Sequence, residues 1–149
     1  MTYEQLKLEN QLCFPLYAAS HLITRRYQPH LEKLGLTYPQ YLVLMVLWEN
    51  NEMTVNEVSK KLILNTNTVT PLLKRMESLE LISRQRSGQD ERKVIVRLSE
   101  KGRQLREDAA SIPGKLARGF IPEVISVKEV ADLMEKLKRI VGFLSEEKI

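Results

Sequence analysis

The chain has 149 residues, 43% hydrophobic and 28% charged, with six glycines, six prolines and one cysteine, the composition of one globular domain. No apolar run reaches the roughly 18 residues of a membrane span, the polar opening MTYEQLKLENQLC lacks a secretory pattern, and one cysteine builds no disulfide framework. A cytoplasmic chain without cofactor or metal is expected, and its net charge of +4 permits a nucleic-acid partner without requiring one.

The first element is read around QLCFPLYAAS, residues 11 to 20. A helix running unbroken from Thr2 would carry Pro15 in its interior, at a cost of about 3 kcal/mol. A helix beginning near Asn10 to Leu12 loses one backbone bond or none, and puts the lone Cys13 in its first turn. Tyr17, four residues on, then falls on the same face as Cys13.

Three further starts carry the capping-box pattern, Thr37 with Gln40, Thr54 with Glu57 and Ser126 with Glu129. After Thr37, Tyr38, Tyr41, Leu42, Met45 and Trp48 recur at helical spacing. A short helix after Thr54, through about Leu62, shows Val55, Val58 and Leu62. Asn65-Thr66-Asn67-Thr68, rich in capping residues, opens a second helix with Val69, Leu72, Leu73, Met76 and Leu79 inward. This pair is a helix-turn-helix outline. Leu81–Arg86 and Lys93–Leu98 read as strands about the polar turn Ser87–Glu91. Ser99 caps a helix expected to run to roughly Arg118, and a loop at Ile121-Pro122 leads to a last helix from Val127 to about Leu144.

From Ser59 to Arg97 there are nine lysines and arginines against four carboxylates, a net +5 that exceeds the excess of the whole chain. Charge alone describes a solvated face. Here it coincides with the second helix of the pair and with a hairpin, so a duplex-binding surface is expected. The inward stripe leaves Thr66, Asn67, Thr70, Lys74 and Arg75 outward, and Asn65 and Thr68 complete the helix start. Small polar groups and free N–H groups at such a terminus suit base edges and phosphates. Arg84 and Arg86 lie on the hairpin arm. Arg92 sits near its tip, where an arginine enters a narrow minor groove and Asp90 holds it. The fold class expected is mainly α with a small β-hairpin wing. Residues 37–102 form the winged helix-turn-helix, and residues 1–36 and 103–149 supply helices that pair with a second copy.

These features resemble the MarR family of dimeric winged-helix regulators, on NTNTVTPLLKRMESLELI (Asn65 to Ile82), on the wing RQRSGQDERKVIVRLSEKG (Arg84 to Gly102) and on the helical flanks. The resemblance implies a homodimer with its two reading helices in successive major grooves of a pseudo-palindromic operator, about 34 Å apart. LENQLCF (Leu8 to Phe14) and LTYPQYLVLMVLWE (Leu36 to Glu49) are similar to the organic-hydroperoxide-sensing branch, OhrR. That likeness makes Cys13 the sensor, with Tyr27 and Tyr38 as tyrosines that bond it and Tyr17 nearby. Many branch members carry aspartate, serine and glycine where this chain has Asn65-Thr66-Asn67, which bears on operator sequence.

The chemistry agrees with that implication. Only a thiolate attacks a peroxide, and a free thiol with pKa about 8.5 is mostly protonated at neutral pH. A helix N-terminus and tyrosine hydroxyls both favour the anion. Tyr27 lies fourteen residues along from Cys13, about 21 Å at 1.5 Å per residue, so it serves a cysteine only across a dimer. Oxidation gives a sulfenic acid that no second cysteine of the chain resolves. A small cellular thiol, a backbone nitrogen or further oxidation are its fates, and operator release is the expected outcome. A rival within the family is release by a small aromatic or phenolic ligand, with Cys13 structural. A thiol enzyme is disfavoured, because His21 lies about 12 Å along the helix from Cys13, too far for a catalytic pair.

Overall fold

The computed structural model describes residues 3–119 and 121–146; the extreme residues of both flanks and residue 120 lie outside it. Two single 3-10 turns, Glu4–Leu6 and Leu8–Asn10, lead into α1 (Cys13–Glu32). Then follow α2 (Tyr38–Asn50), β1 (Glu52–Thr54), α3 (Val55–Leu62), α4 (Thr66–Ser78), β2 (Ile82–Arg86), β3 (Val94–Leu98), α5 (Glu100–Ala109), α6 (Ile112–Ala117) and α7 (Val127–Glu146).

Local chemistry sets the helix starts. The Gln40 side chain accepts the Thr37 N–H at 2.8 Å. Thr54 and Glu57 bond reciprocally, at 2.7 Å and 3.2 Å, as do Ser126 and Glu129, at 2.9 Å and 3.3 Å. Leu12 is the N-cap of α1, so Cys13 is the first helical residue and Pro15 the third, where a missing N–H costs nothing. The chain leaves α1 through Gly35 in the left-handed region, φ 68°.

α2 is the central element. Val43, Leu44 and Leu47 are fully buried against Val58 of α3, Val69, Leu73 and Met76 of α4, and Val96 of β3. Leu31 closes the core from α1, and Ala109, Ile112 and Leu116 close it from α5 and α6. The sheet runs in the order β1-β3-β2 and is antiparallel throughout, with Met53 opposite Val96 and Arg84 opposite Val96 on the other side. Arg97 on β3 holds Glu52 of β1 and Gln85 of β2, so one side chain ties all three strands.

Four details differ from the sequence expectation. Strand β1 was not foreseen: three residues show no alternation, and only pairing with β3 makes them a strand. The helix expected from Ser99 to Arg118 is two helices. Pro113 is the second residue of α6, and in a continuous helix its ring would meet the carbonyl of Ala109, where α5 stops. Leu79 lies past the end of α4 and is exposed rather than inward. α1 also carries Pro29 in its last turns, which the sequence reading passed over.

The flanking helices give little of themselves to this core. α1 buries only Leu31 and α7 buries nothing among its described residues. Leu12, Phe14, Leu22 and Ile23 near and along α1, and Leu133, Met134, Ile140 and Phe143 on α7, are all exposed. No helix among the described residues is long and apolar enough to cross a membrane.

Candidate nucleic-acid interface and reactive thiol

The outward face of α4 follows from its inward one. With Val69, Leu73 and Met76 buried, a rotation of 100° per residue places Asn67, Thr70, Pro71 and Lys74 together on the opposite side. Asn67, Pro71 and Lys74 are exposed and Thr70 is half-buried; Thr66, Thr68 and Arg75 are exposed on the flanks of this stripe. Asn65 is the N-cap, its Oδ1 accepting the Asn67 N–H at 3.1 Å, so its oxygen satisfies the helix start. Because α4 begins at Thr66, Pro71 costs it one backbone bond, the one that Asn67 C=O would have accepted. The turn before α4 is fixed by Ile63 in the left-handed region, φ 54°, an uncommon state for a β-branched residue.

The wing is fastened to α4 at its root. Arg84, grouped by its charge with the duplex-contacting cations, donates from Nε and Nη2 to Glu77 Oε2 at 3.1 Å and 2.7 Å, while its backbone N–H reaches Oε1 at 3.0 Å. These bonds hold the Glu77 carboxyl below its ordinary range. Arg84 therefore sets the angle between helix and wing, a task its charge did not announce. The motif LSEKG secures the same corner. Ser99 Oγ donates to Glu80 C=O at 2.6 Å and accepts the Gly102 N–H at 3.0 Å, and Lys101 Nζ donates to Leu79 C=O at 2.9 Å.

At the tip, the Ser87 N–H donates to Lys93 C=O at 2.8 Å and closes the hairpin. Asp90 Oδ1 accepts the backbone N–H and Nε of Arg92 at 3.1 Å and 3.2 Å, while the Arg92 side chain stays 92% exposed. Arg86 is exposed at the outer end of β2. The result is a polar helix face and, beside it, a cationic tip held in position.

Cys13 is exposed at the start of α1, where the first-turn N–H groups present partial positive charge. Tyr17, one turn on, is 69% exposed and its ring stacks on His21, centroids 6.2 Å apart and planes 7° from parallel; Arg25 contacts His21 Nε2 at 3.2 Å. Tyr27 stands near the other end of α1 and packs on Tyr38, centroids 5.0 Å apart. Tyr41 joins this pair at 5.9 Å from Tyr27 and meets Trp48 at 6.1 Å. Burial first, and Tyr27 second, raise the Tyr38 and Tyr41 phenols above their ordinary range, so both remain protonated donors at neutral pH. The structure thus brings Tyr27 and Tyr38 together and leaves Cys13 at the far end of one continuous helix. Sequence reasoning missed Tyr41 and Trp48 as members; their spacing of three and ten residues from Tyr38 along α2 was the available signal.

Helix pair, three-stranded wing and unpartnered terminal helices define a winged helix-turn-helix transcription regulator. Residues 25–109 match the family described as transcriptional regulator SarA/Rot. The organic hydroperoxide resistance transcriptional regulator of Bacillus subtilis is 51% identical over 114 residues, covering 76% of this chain and 78% of its own. The HTH-type transcriptional regulator MgrA of Staphylococcus aureus is 40% identical, with 90% and 92% covered. Among solved structures, reduced AbfR bound to DNA superposes with a TM-score of 0.77 at 35% identity, over 97% of this chain and all of that one; disulfide-formed AbfR gives 0.66 at 36% identity. The chain belongs to the MarR/SarA family of winged-helix transcriptional regulators, DNA-binding proteins and not enzymes, and within it is a regulator of the hydroperoxide-resistance, OhrR-like type.

Proposed function

We propose that the protein is a dimeric repressor that binds a pseudo-palindromic operator while Cys13 is reduced and leaves it when an organic hydroperoxide oxidises that cysteine. The observation that carries this reading is the position of Cys13, exposed as the first residue of α1. There the Cys13 sulfur takes the terminal oxygen of a hydroperoxide, giving a sulfenic acid and an alcohol. The chain holds no second cysteine, so the acid condenses with a small thiol from solution, forming a mixed disulfide and water, or oxidises further.

Dimerisation completes the sensor. Within one copy, Tyr27 is about 21 Å along the helix from Cys13; Tyr27 and Tyr38 of a second copy supply the phenolic donors. The exposed apolar faces of α1 and α7 are the surfaces through which two copies pair. Thr66, Asn67, Thr68, Thr70, Lys74 and Arg75 face the major groove, and Arg86 and Arg92 meet phosphate and minor groove, with Asp90 and Arg84 as positioning residues. AbfR is solved on DNA both reduced and overoxidised, which supports a reduced state that binds and favours the disulfide, rather than further oxidation, as the product that releases.

The experiment is operator binding before and after treatment with cumene hydroperoxide, with intact-mass analysis alongside. Wild type loses affinity in step with an oxygen or thiol adduct on Cys13; a Cys13→Ser variant keeps it. A serine variant that still responds overturns the reading.

One observation favours a second reading. A groove of about 1460 Å³ lies between α3–α4 and α7, lined among others by Ile63, Leu64, Met134 and Val141. Ser59 also lines it, and its buried hydroxyl is without a protein hydrogen-bond partner. A small phenolic or aromatic ligand seated there would act on the DNA-binding helices with Cys13 structural, and release of operator by such a ligand from Cys13→Ser protein distinguishes the two.

A further inference from the structure

The solvent face of α4 contains one residue that neither donates nor accepts from its side chain. Pro71 is exposed, and helical geometry sets it in the middle of the outward stripe, between Asn67 and Lys74 and next to Thr70. It sits six residues into α4, deep enough to cost the helix a bond, yet it contributes nothing to the buried core. A pyrrolidine ring is rigid and apolar. In a major groove it can complement only one base-edge feature, the C5-methyl group that thymine carries and the other three bases lack. Its neighbours all carry hydrogen-bonding groups, so the ring is the one wholly apolar side chain of the face.

We propose that Pro71 is a specificity-determining residue that reads thymine methyl groups in each operator half-site. The inference rests on α4 being the reading helix. The ring packs on one methyl, or on two adjacent ones, while Asn67 and Thr70 bond neighbouring base edges and Lys74 binds phosphate. Fixed by its own backbone, the ring loses no rotamer freedom on contact, so a small apolar area is used fully.

The test takes a duplex enriched by the full-length protein from random DNA and replaces its thymines by uracil, one position at a time, which removes the methyl and nothing else. Burial of one methyl corresponds to about a fourfold affinity change, so two symmetric half-sites give about tenfold or more. Wild type is expected to show about a fourfold loss at one thymine of a half-site, and about tenfold or more when its symmetry mate is replaced as well. Pro71→Ala, which restores the backbone bond and improves helix propensity, is expected to fold, to bind, and to treat thymine and uracil alike; lower salt keeps its binding measurable. Wild type indifferent to every uracil, or a variant with the wild-type thymine preference, overturns the proposal. Lys74→Ala separates this from failure of the underlying reading: if it leaves affinity and salt dependence unchanged, α4 does not face the duplex at all.

Discussion

Glu77 and Arg84, seven residues apart across the turn from α4 to β2, are joined by three hydrogen bonds that span helix and wing. The side chain of Glu77 is 38% exposed, so solvent screens the pair, and it contributes on the order of 1 kcal/mol. The Arg84 bonds lower the Glu77 pKa; a group depressed in the folded state adds stability above its unfolded pKa and loses it as pH falls through the folded value. Glu77→Gln is therefore expected to lower the melting temperature at pH 7 and to approach wild type in acid, below the ordinary carboxylate range. Thermal melts from pH 7 to pH 3 check this, and a difference that grows on acidification contradicts it.

Gly102 allows α5 to approach the strand-leading turn more closely than any other residue permits. A β-carbon there lies 2.1 Å from Leu81 C=O, and the Gly102 carbonyl accepts the Trp48 indole N–H at 2.9 Å. Gly102→Ala must push backbone against backbone, so a loss of about 2 kcal/mol is expected, with the red shift of Trp48 emission on unfolding moved to lower denaturant. An unchanged denaturation midpoint would show that the corner yields freely.

Lys74 is exposed on the α4 stripe and is assigned to phosphate. Each phosphate contact adds about 0.9 to the slope of log affinity against log salt, so Lys74→Ala in a dimer lowers the slope by about 2 and weakens all sequences alike. Arg92→Ala behaves similarly at the wing, with selective loss where the flanking minor groove is narrow. Titrations of one operator and one unrelated duplex across a salt series measure both.

The Tyr38 phenol is protonated at neutral pH, and burial only raises it further, which suits a donor to a thiolate. Tyr38→Phe removes the hydroxyl and retains the ring that packs on Tyr27. Reduced protein is expected to bind operator as before, while oxidation of Cys13 by an alkyl hydroperoxide slows by about tenfold, the value of one hydrogen bond to a charged group. Stopped-flow oxidation kinetics decide the matter, and a rate equal to wild type removes Tyr38 from the sensor.

Much of this was legible in the sequence because it was local. Thr54 with Glu57 and Ser126 with Glu129 bond as their spacing promises, and Pro15 placed the start of α1 beside Cys13. The break after α5 is also written there, in Pro113, whose ring would meet the Ala109 carbonyl in a continuous helix. What was not legible is long-range. Strand β1 exists through β3, forty residues on, and Arg84 looked like a free cation because Glu80, left-handed at φ 60°, turns the chain back onto Glu77. The proposed pairing of Cys13 with tyrosines of a second copy lies further out still, because it falls between molecules.

α7 runs for twenty residues with no side chain buried among those described, and most helical stability in proteins comes from packing an amphipathic face rather than from propensity. On the proposed pairing of two copies through it, its order is supplied by mass action. Dilution loosens the termini first, so protease resistance and melting temperature rise with protein concentration. On that reading, the copy number of the protein in its cell becomes one of the variables that sets how completely its proposed sensing end is formed.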